Sequence, residues 1–396
     1  MAWSQFPSIL MVMLCTRCAL GGAEKRYARV FEMLVAQTDG QHRLLINRAM
    51  LDLLQWAGIL LSHESHLIVL ESPFHRFTQS KGEKRRLLFR LVQPLDVLWY
   101  MWQCWKAIRH YRPDIVHPLL TGMYLSLPGL VVSPAVRHVL SAYSPKFEPE
   151  SIRSKGSLGI KLGTIIKQYA MQRCRAIDAL SLSIRDQLIA RGIDGDKIQI
   201  APCSFTDFSL CKPDPQKKKW VVFLARFIAE KNPLLLAEAV PRVLARVPDV
   251  HFYFLGRGYL QERLGALLQD SHTVDHVTIK FEPQPTSILN QSSVFASLQT
   301  EENYPSQSLL EAMACGNAIV ATDVGETWRL VDEANGVRVP PTVDAVAEAI
   351  ISLLENSKLP QLGHASRQRA LAEHTPERFF DYITNLYRTA ATGLPT

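Results

Sequence analysis

At 396 residues the chain is longer than one hydrophobic core usually organises, so we expect two domains. With 47% apolar and 20% charged residues, the composition is that of a globular protein and excludes a largely disordered chain. The net charge of +7 is uneven, because residues 1–200 hold 26 Lys and Arg against 15 Asp and Glu, and residues 201–396 hold 18 against 22. The first half therefore either meets an anionic partner or carries a solvated basic surface.

The cysteines and the apolar segments indicate a protein of a reducing compartment with no membrane span. Seven cysteines, an odd number, do not predict a disulfide framework. Cys15 and Cys18 form a C-x-x-C pair that no second pair completes, so we expect a loop here and no metal site. The apolar run Ser8–Leu14 lacks a preceding basic region, which predicts a buried strand and not a signal peptide. The best candidate for a membrane span, near residues 119–142, contains prolines and an arginine, so we do not expect it to cross a bilayer.

The first half alternates strands with helices. After the strand at Ser8–Leu14, Gly21 and Gly22 open a helix that continues to Val35, and Arg43–Asn47 forms a second strand. This order is that of a βαβ unit. Glycines after a strand either let backbone N–H groups approach an anion or simply make a tight turn.

Residues 73–112 combine basic and aromatic side chains. The basic residues are Arg76, Lys81, Lys84, Arg85, Arg86, Arg90, Lys106 and Arg109, and the aromatic residues are Trp99, Tyr100, Trp102 and Trp105. Such a mixture suits the interface of a membrane. Leu95, Leu98 and Trp102, spaced by three and four, predict instead a stripe that packs against a sheet, and we expect this packing.

A second domain begins after residue 219. Residues 206–219, rich in Asp, Pro and Lys, predict a linker whose lysines are solvated. Strand–helix alternation restarts at residue 220, and a last helix from residue 376 carries an apolar stripe.

The stretch from Glu301 to Gly325 carries the clearest functional pattern. Pro305 suits the first turn of a short helix that Ser306 can cap, and Gly316 ends this helix before a strand. The N–H groups at the start of the helix make a site for phosphate.

Helical spacing predicts how the polar residues of this stretch are arranged. Glu311 lies about two turns from Asn303, with Gln307 between them on the same face. A carboxylate at this place accepts two hydrogen bonds from a sugar diol.

The run LLEAMACGNAIVATDVGE resembles the family 4 retaining glycosyltransferases of the GT-B fold, whose signature is two glutamates separated by seven residues. Here Glu311 holds the second position and Asn303 the first. The resemblance implies that Glu311 binds the nucleotide ribose. It also implies a carboxylate near the donor sugar, a place that Glu302 takes if the loop shifts.

The run ARFIAEKNP resembles the phosphate-binding segment of the same family. This implies that Arg226 and Lys231 lie on the diphosphate, where Arg grips two oxygens and Lys acts as a point charge. By itself, Lys231 beside Glu230 also fits a simple ion pair at a helix start. Gly256 allows the backbone to approach the nucleotide, although a third glycine of the dinucleotide fingerprint is missing.

In the first half the resemblance is limited to the general order of strands and helices. Asp114–His117 resembles the central strand of the family, which implies that His117 touches the sugar or the acceptor; a histidine at a strand end also often has a structural role. Tyr143 stands where the family often has a histidine and would offer a hydroxyl on the acceptor side. The glycines at 21 and 22 would lie near the donor phosphates.

The resemblance implies an α/β fold of the GT-B type, with two Rossmann-like doubly wound domains that face each other across a cleft. Residues 1–205 would bind the acceptor and residues 220–375 the nucleotide sugar. The terminal helix, 376–396, would cross back to the first domain.

The implied activity is metal-independent transfer of a hexose-type sugar, with retention, from a nucleoside-diphosphate donor to a hydroxyl of a glycan or lipid-linked glycan. Arg226, Lys231 and the N–H groups near Ser306, Gln307 and Ser308 would meet the charge that grows on the departing diphosphate. No cofactor is expected beyond the donor substrate.

The implied setting is cell-surface polysaccharide synthesis, including lipopolysaccharide, in the cytoplasm at the inner face of the plasma membrane. The basic first domain would supply peripheral contact with anionic lipid. A nucleic-acid partner is not expected, because no binding motif accompanies the basic residues. Asn303 and Tyr143 also fit an alternative, a catalytically degenerate GT-B protein that binds nucleotide or glycan without turnover.

Overall fold

The computed structural model describes residues 6–14, 22–74, 83–119, 125–127, 129, 133, 135–142, 165, 168–205 and 208–392, with the backbone alone at 83–91 and 93. Contacts divide the chain into two compact units, one of Met1–Pro202 with Phe380–Thr396 and one of Cys203–Phe379. The predictions for Cys15, Cys18, Gly21 and Tyr143 lie outside the described residues.

The first unit contains a seven-stranded sheet in the order β3-β2-β1-β4-β5-β6-β7, and each described pairing in it is parallel. Its strands are β1 (Ile9–Met13), β2 (Arg43–Asn47), β3 (Leu67–Leu70), β4 (Ile115–Pro118), β5 (Arg137–Ala142), β6 (Ala176–Ala179) and β7 (Ile198–Ile200). Every residue of β1 is buried, as a continuous apolar run in a sheet covered on both faces requires.

The second unit contains a six-stranded parallel sheet in the order β10-β9-β8-β11-β12-β13. Its strands are β8 (Lys218–Leu224), β9 (His251–Leu255), β10 (Val277–Lys280), β11 (Ser292–Ser297), β12 (Ala318–Thr322) and β13 (Gly336–Val339). Successive residues of β8 serve opposite faces, because Val221 and Phe223 belong to one core cluster and Val222 to another.

Helices cover both sheets. Those whose bounds fall within the described residues are α1 (Gly22–Gln37), α2 (Arg48–Trp56), α3 (Glu83–Tyr111), α4 (Leu182–Ala190), α5 (Pro233–Arg246), α6 (Gln261–Asp270), α7 (Thr286–Leu289), α8 (Gln307–Ala314), α9 (Val343–Glu355), α10 (Leu359–Glu373) and α11 (Pro376–Thr392). The apolar stripe predicted for the last helix is confirmed, since Phe379, Phe380, Ile383, Leu386 and Tyr387 are all buried.

The predicted linker instead packs within the second unit. Cys211 is 1% exposed in its core, and the strand β8 already begins at Lys218. Lys217, predicted to be solvated, directs its Nζ to the backbone oxygens of Ser292 at 2.7 Å and of Cys315 at 2.8 Å. Composition alone misleads here, because four backbone carbonyl oxygens of the unit converge on this amine.

The prediction of a buried stripe on α3 is wrong. Leu95, Leu98 and Trp102 are 50%, 60% and 50% exposed, whereas Tyr100 and Cys104 are buried against β1 and β4. Both sides of this helix carry apolar residues, so periodicity identifies two stripes and does not decide which one meets the sheet.

The short helix α8 begins one residue later than its sequence suggests. Ser306 is the N-cap, so Pro305 precedes the helix and does not lie in its first turn. The Ser306 side chain makes no capping hydrogen bond and instead lies 3.3 Å from Oγ of Ser308. The end of the helix at Gly316, which has a φ of +70°, agrees with the prediction.

Candidate functional site

The candidate phosphate-binding residues of the second unit lie on loops that follow two adjacent strands at one edge of its sheet. Arg226 follows β8, which ends at Leu224, and Gln299 follows β11, which ends at Ser297. The chain order of the strands reverses between β8 and β11. In open parallel sheets, ligands bind outside the carboxyl ends of the strands at such a point.

The loop after β8 is held by a buried ring and exposes a cation. Phe227 is fully buried, while its neighbour Arg226 is exposed. A short turn, Ala229–Lys231, follows and leads through Asn232, in the left-handed region at φ +54°, into α5. The sequence thus places Arg226 and Lys231 at one edge on a short, well-anchored loop.

Lys231 joins the loops after β8 and β11. Its Nζ donates a hydrogen bond to Oε1 of Gln299 at 2.9 Å, and the N–H of Thr300 donates to the backbone oxygen of Glu230 at 3.1 Å. Burial and then the Arg226 cation lower the pKa of Lys231 to about 8, against the opposing effect of Glu230 and Glu301. An anion bound here would favour the charged form of Lys231 and so oppose the lowering of its pKa.

Gly256 lets two backbone segments meet below this loop. A Cβ on Gly256 would stand 1.9 Å from the backbone oxygen of Ala225, and one on Gly258 would stand 2.2 Å from that of Phe227. The close approach predicted for Gly256 is therefore made with the backbone that carries Arg226. Through that contact Gly256 fixes the position of the cationic loop.

The start of α8 lies at the same edge, after β11. Ser306 is 7% exposed, and Nε2 of Gln307 donates to Oγ of Ser204 at 2.9 Å. The first turn of a helix concentrates N–H groups and positive potential, which suits a phosphate.

Glu311 follows Gln307 by one helical turn and is half-buried. The expected alignment of Asn303, Gln307 and Glu311 on one face is wrong, because the helix begins at Gln307 and Asn303 lies in the preceding loop. Only Gln307 and Glu311 are related by helical spacing.

Glu302 holds the loop before α8. Its Oε1 accepts a hydrogen bond from the N–H of Tyr304, and its Oε2 accepts one from the N–H of Glu326, each at 2.8 Å. Gly325 makes room for this carboxylate, since a Cβ there would stand 1.9 Å from Oε2. In this arrangement Glu302 stabilises the loop, so the role near the donor sugar that the resemblance implies for it would require both contacts to break.

Asn303 lines a small cavity of about 10 Å³, room for about one water, together with Gln299, Glu301 and Ser306. Beneath it lies the buried ring of Tyr304, which Arg329 covers at 4.1 Å and whose pKa is raised to about 12, first by burial. Sequence reasoning missed Gln299 and Glu301. Their position directly after a strand at the reversal point was the available signal.

His117 lies in the first unit and is fully buried. Its Nδ1 is 2.7 Å from the hydroxyl of Tyr387, and its Nε2 is 2.9 Å from Oγ of Ser141 and also bonds the hydroxyl of Tyr27. Oγ of Ser141 donates to Oδ2 of Asp178 at 2.9 Å. With no exposed surface, the ring connects β4 to α1 and α11. This arrangement fits the structural role that a histidine at a strand end often has, and not the contact with a sugar or an acceptor that the resemblance implies.

The other predicted residue of the first unit, Gly22, is the first residue of α1 and follows the carboxyl end of β1. The strand order reverses between β1 and β4, so Gly22 belongs to the corresponding edge of this sheet.

Among the described residues, no group of three or more His, Cys, Asp or Glu has the arrangement of a metal site. In the same part of the chain, no helix combines the length and the apolarity that crossing a bilayer requires.

Two family models match the chain. Residues 54–205 match Glycosyltransferase Family 4, and residues 218–356 match Glycosyl transferases group 1. The second match contains Arg226, Lys231 and Glu311.

Sequence relatives agree with these matches. The phosphatidyl-myo-inositol mannosyltransferase of Mycolicibacterium smegmatis is 29% identical over 211 residues, which cover 51% of this chain and 54% of that protein. The chain thus spans about half the length of the curated relatives that head the comparison.

Solved structures extend the likeness to nearly the whole chain. Anabaena Alr3699/HepE in complex with UDP and glucose aligns with a TM-score of 0.72 at 16% identity over 97% of this chain and 100% of that one. The sucrose-phosphate synthase of Thermosynechococcus elongatus aligns with a TM-score of 0.74 at 17% identity over 98% of this chain and 100% of that one.

The two parallel sheets and these alignments define an α/β protein of the GT-B fold. The chain belongs to the family 4, group 1 glycosyltransferases.

Proposed function

We propose that this chain transfers a hexose-type sugar from a nucleoside-diphosphate donor to a hydroxyl of a glycan or lipid-linked glycan, with retention and without a metal. The observation that carries the proposal is the placement of Arg226, Lys231 and the start of α8 at the strand-order reversal of the second sheet. A related structure that contains UDP and a relative named as a mannosyltransferase of phosphatidyl-myo-inositol support the donor and acceptor classes.

In the proposed reaction, the bond from the anomeric carbon to the β-phosphate oxygen breaks, and a bond to the acceptor oxygen forms on the same face of the sugar. The acceptor proton passes to the departing phosphate oxygen. Arg226, Lys231 and the first N–H groups of α8 stabilise the negative charge on the diphosphate, while Glu311 accepts hydrogen bonds from the ribose hydroxyls.

Release of free nucleoside diphosphate from UDP-glucose or GDP-mannose, in the presence of phosphatidylinositol or short glucans, tests this proposal. We expect Arg226→Ala to lower the turnover about 100-fold or more, as loss of one charge-stabilising donor typically does. Arg242→Ala is the matched control, because Arg242 is an exposed residue of α5 that pairs with Asp344. Unchanged turnover in a folded Arg226→Ala variant would remove the leaving-group assignment.

The alternative of binding without turnover has support of its own. The exposed Asn303 replaces a carboxylate, and the neighbouring carboxylate of Glu302 is engaged with two N–H groups. Binding of UDP or GDP without release of product from any donor would favour this alternative. A gain of product release in Asn303→Glu would identify the missing carboxylate as the cause.

The exposed face of α3 supports peripheral contact with an anionic bilayer. We define the aromatic–basic face as Leu95, Leu98, Trp102 and Lys106, whose ammonium lies 5.4 Å from the Trp102 ring centroid. Apolar and aromatic side chains with adjacent cations match the depth order of acyl chains, headgroups and lipid phosphates. At this membrane surface the enzyme would meet a lipid-linked acceptor, which would place it at the cytoplasmic side of the plasma membrane.

Sedimentation with vesicles tests this contact. We expect Trp102→Ala to weaken binding to vesicles that contain anionic lipid, and salt to weaken binding of the unmodified chain. Trp328→Ala is the control, since Trp328 is 54% exposed in the second unit. Equal effects of the two substitutions, or equal binding to neutral vesicles, would contradict the lipid assignment and favour a protein partner for this face.

A further inference from the structure

The first unit contains a cavity of about 270 Å³ at the edge of its sheet where the strands begin. We call it the amino-edge cavity. Its lining residues are Phe6, Ser8, Ile9, Leu10, Gln41, Arg43, Tyr111, Arg112, Pro113 and Asp114. Because β1 begins at Ile9 and β2 at Arg43, this is the edge opposite the carboxyl ends at which substrates of parallel sheets bind. The proposed transfer reaction therefore does not use it.

The guanidinium of Arg43 is held in place at this cavity. One of its nitrogens donates to the backbone oxygen of His42 at 3.0 Å and lies 3.1 Å from Nδ1 of His66. The Tyr111 ring lies beside it, with its centroid 5.5 Å away. No carboxylate among the described residues pairs with Arg43. Its charge is thus positioned but not neutralised by a neighbour.

Arg112 supplies a second cation in an unusual backbone conformation. It follows the last residue of α3, has a φ of +45° and donates its N–H to the backbone oxygen of Ile108 at 2.9 Å. This position at a helix end favours glycine or asparagine, which adopt the left-handed region more readily than other residues. Its side chain is exposed, lines the cavity and pairs with no other residue in the described part of the chain. An arginine in a backbone conformation suited to glycine motivates a hypothesis that its side chain has a use here.

The acidic groups near the cavity are already engaged. Oδ2 of Asp114 accepts hydrogen bonds from the N–H and the hydroxyl of Ser8, both at 2.8 Å, and Oδ1 of Asp39 accepts one from the N–H of Phe6 at 2.8 Å. Arg388 adds a further cation, 5.2 Å from the centroid of the Phe6 ring. Two guanidinium groups, those of Arg43 and Arg112, thus line the cavity with a single carboxylate, Asp114, that already accepts hydrogen bonds.

We propose that the amino-edge cavity binds a small organic anion, a carboxylate or phosphate on a flat apolar body, with Arg43 and Arg112 on the charged group and Phe6 and Tyr111 against the body. The fork of an arginine matches either anion. The volume is slightly below that of sites for drug-sized ligands, about 300–1,000 Å³, which indicates a ligand of one ring.

Calorimetric titration of the full chain with benzoate, phenyl phosphate, benzamide and inorganic phosphate tests the proposal. We expect saturable binding of benzoate or phenyl phosphate in the millimolar range or tighter, and weaker binding of neutral benzamide and of inorganic phosphate. Arg112→Ala and Arg43→Gln should each weaken the preferred anion about tenfold. Arg109→Ala is the matched control, because Arg109 lies near the same end of α3 with its guanidinium over the Trp105 ring at 5.4 Å.

The effects of two substitutions on two ligands distinguish the amino-edge cavity from the proposed donor site. Arg112→Ala should leave the affinity for UDP or GDP unchanged, and Arg226→Ala should leave the affinity for the organic anion unchanged. The proposal fails if no anion saturates the chain, if benzamide binds as tightly as benzoate, or if Arg109→Ala weakens binding as much as Arg112→Ala. Preference for phenyl phosphate over benzoate would assign a phosphate ester, and the reverse preference a carboxylic acid.

Discussion

Nζ of Lys231 donates a hydrogen bond to Oε1 of Gln299 at 2.9 Å, and this bond ties together the loops that follow two adjacent parallel strands. The amide oxygen satisfies the ammonium but does not neutralise its charge. The cation therefore keeps its capacity to attract a diphosphate, and its lowered pKa makes that capacity dependent on pH.

The first prediction concerns the pH dependence of nucleotide binding. Burial and the Arg226 cation lower the pKa of Lys231 to about 8, so the charged form is lost as the pH rises through this value. A bound diphosphate favours the charged form, and affinity for UDP or GDP should fall about tenfold between pH 7 and pH 9. Calorimetry at several pH values measures this change. Lys231→Arg should flatten the profile, because arginine stays charged, and an equally steep profile in that variant would exclude Lys231 as its source.

The second prediction uses two glycines of the second unit. Gly256→Ala should destabilise the protein and weaken nucleotide binding, because the new Cβ would stand 1.9 Å from the Ala225 oxygen and displace the loop that carries Arg226. Gly265→Ala is the control, since that glycine lies in α6 with open space around it. There we expect a gain of about 0.5–1 kcal/mol from the reduced flexibility of the unfolded chain.

Thermal denaturation and titration with UDP or GDP distinguish these two glycine variants. Equal stability of Gly256→Ala and the unmodified chain would show that the loop relaxes without loss.

The third prediction concerns the loss of folding stability at acidic pH. Burial lowers the pKa of His117 to about 3 and that of His138 to about 3, from about 6.5 in the unfolded chain. Both rings stay neutral in the folded protein, and above pH 6.5 they are neutral in the unfolded chain as well. Protonation therefore does not favour unfolding in that range, and the stability of the fold is at its full value. As the pH falls from 6.5 towards 3, the unfolded chain binds protons that the folded protein does not. The free energy of unfolding therefore declines by up to about 1.4 kcal/mol per pH unit for each ring. Urea unfolding at pH 7, 6 and 5 measures this loss.

Replacement of each histidine by phenylalanine should change the stability of the protein differently. His117→Phe should lower stability by about 2–4 kcal/mol at pH 7, because it leaves buried hydroxyl groups of Tyr387 and Ser141 without this partner. Neither ring nitrogen of His138 has a hydrogen-bond partner among the described residues, so His138→Phe should raise stability at pH 5. Equal losses in both variants would contradict the structural role of the His117 contacts.

The fourth prediction concerns Lys217, whose amine donates to backbone oxygens and whose pKa burial lowers to about 8. Lys217→Met should cost about 2–3 kcal/mol of unfolding free energy, because it leaves these carbonyl groups without a donor. Lys219→Met is the control, since its ion pair with Asp249 is exposed and worth little. Similar unfolding curves for the two variants would show that water replaces the Lys217 amine.

The order of strands and helices was predictable because it depends on local patterns. Continuous apolar runs such as Ile9–Met13 form buried parallel strands, and Gly316 ends a helix because only a few residue types adopt its left-handed conformation. The segment around Arg226 and Lys231 was recognised only through its resemblance to the phosphate-binding segment of the family, since by itself Lys231 beside Glu230 fits a simple ion pair equally well.

The sequence by itself determined the parallel α/β units, because the alternation of apolar strands and amphipathic helices follows from neighbours along the chain. Only the tertiary structure decided that Glu302 closes its own loop, that His117 is buried, and that Leu98 and Trp102 face outward. Contacts with residues distant in sequence contribute to these outcomes, such as Glu326 for Glu302 and Tyr387 for His117. A side chain's burial and hydrogen bonds depend on which distant surfaces pack against it, and local periodicity does not record that choice.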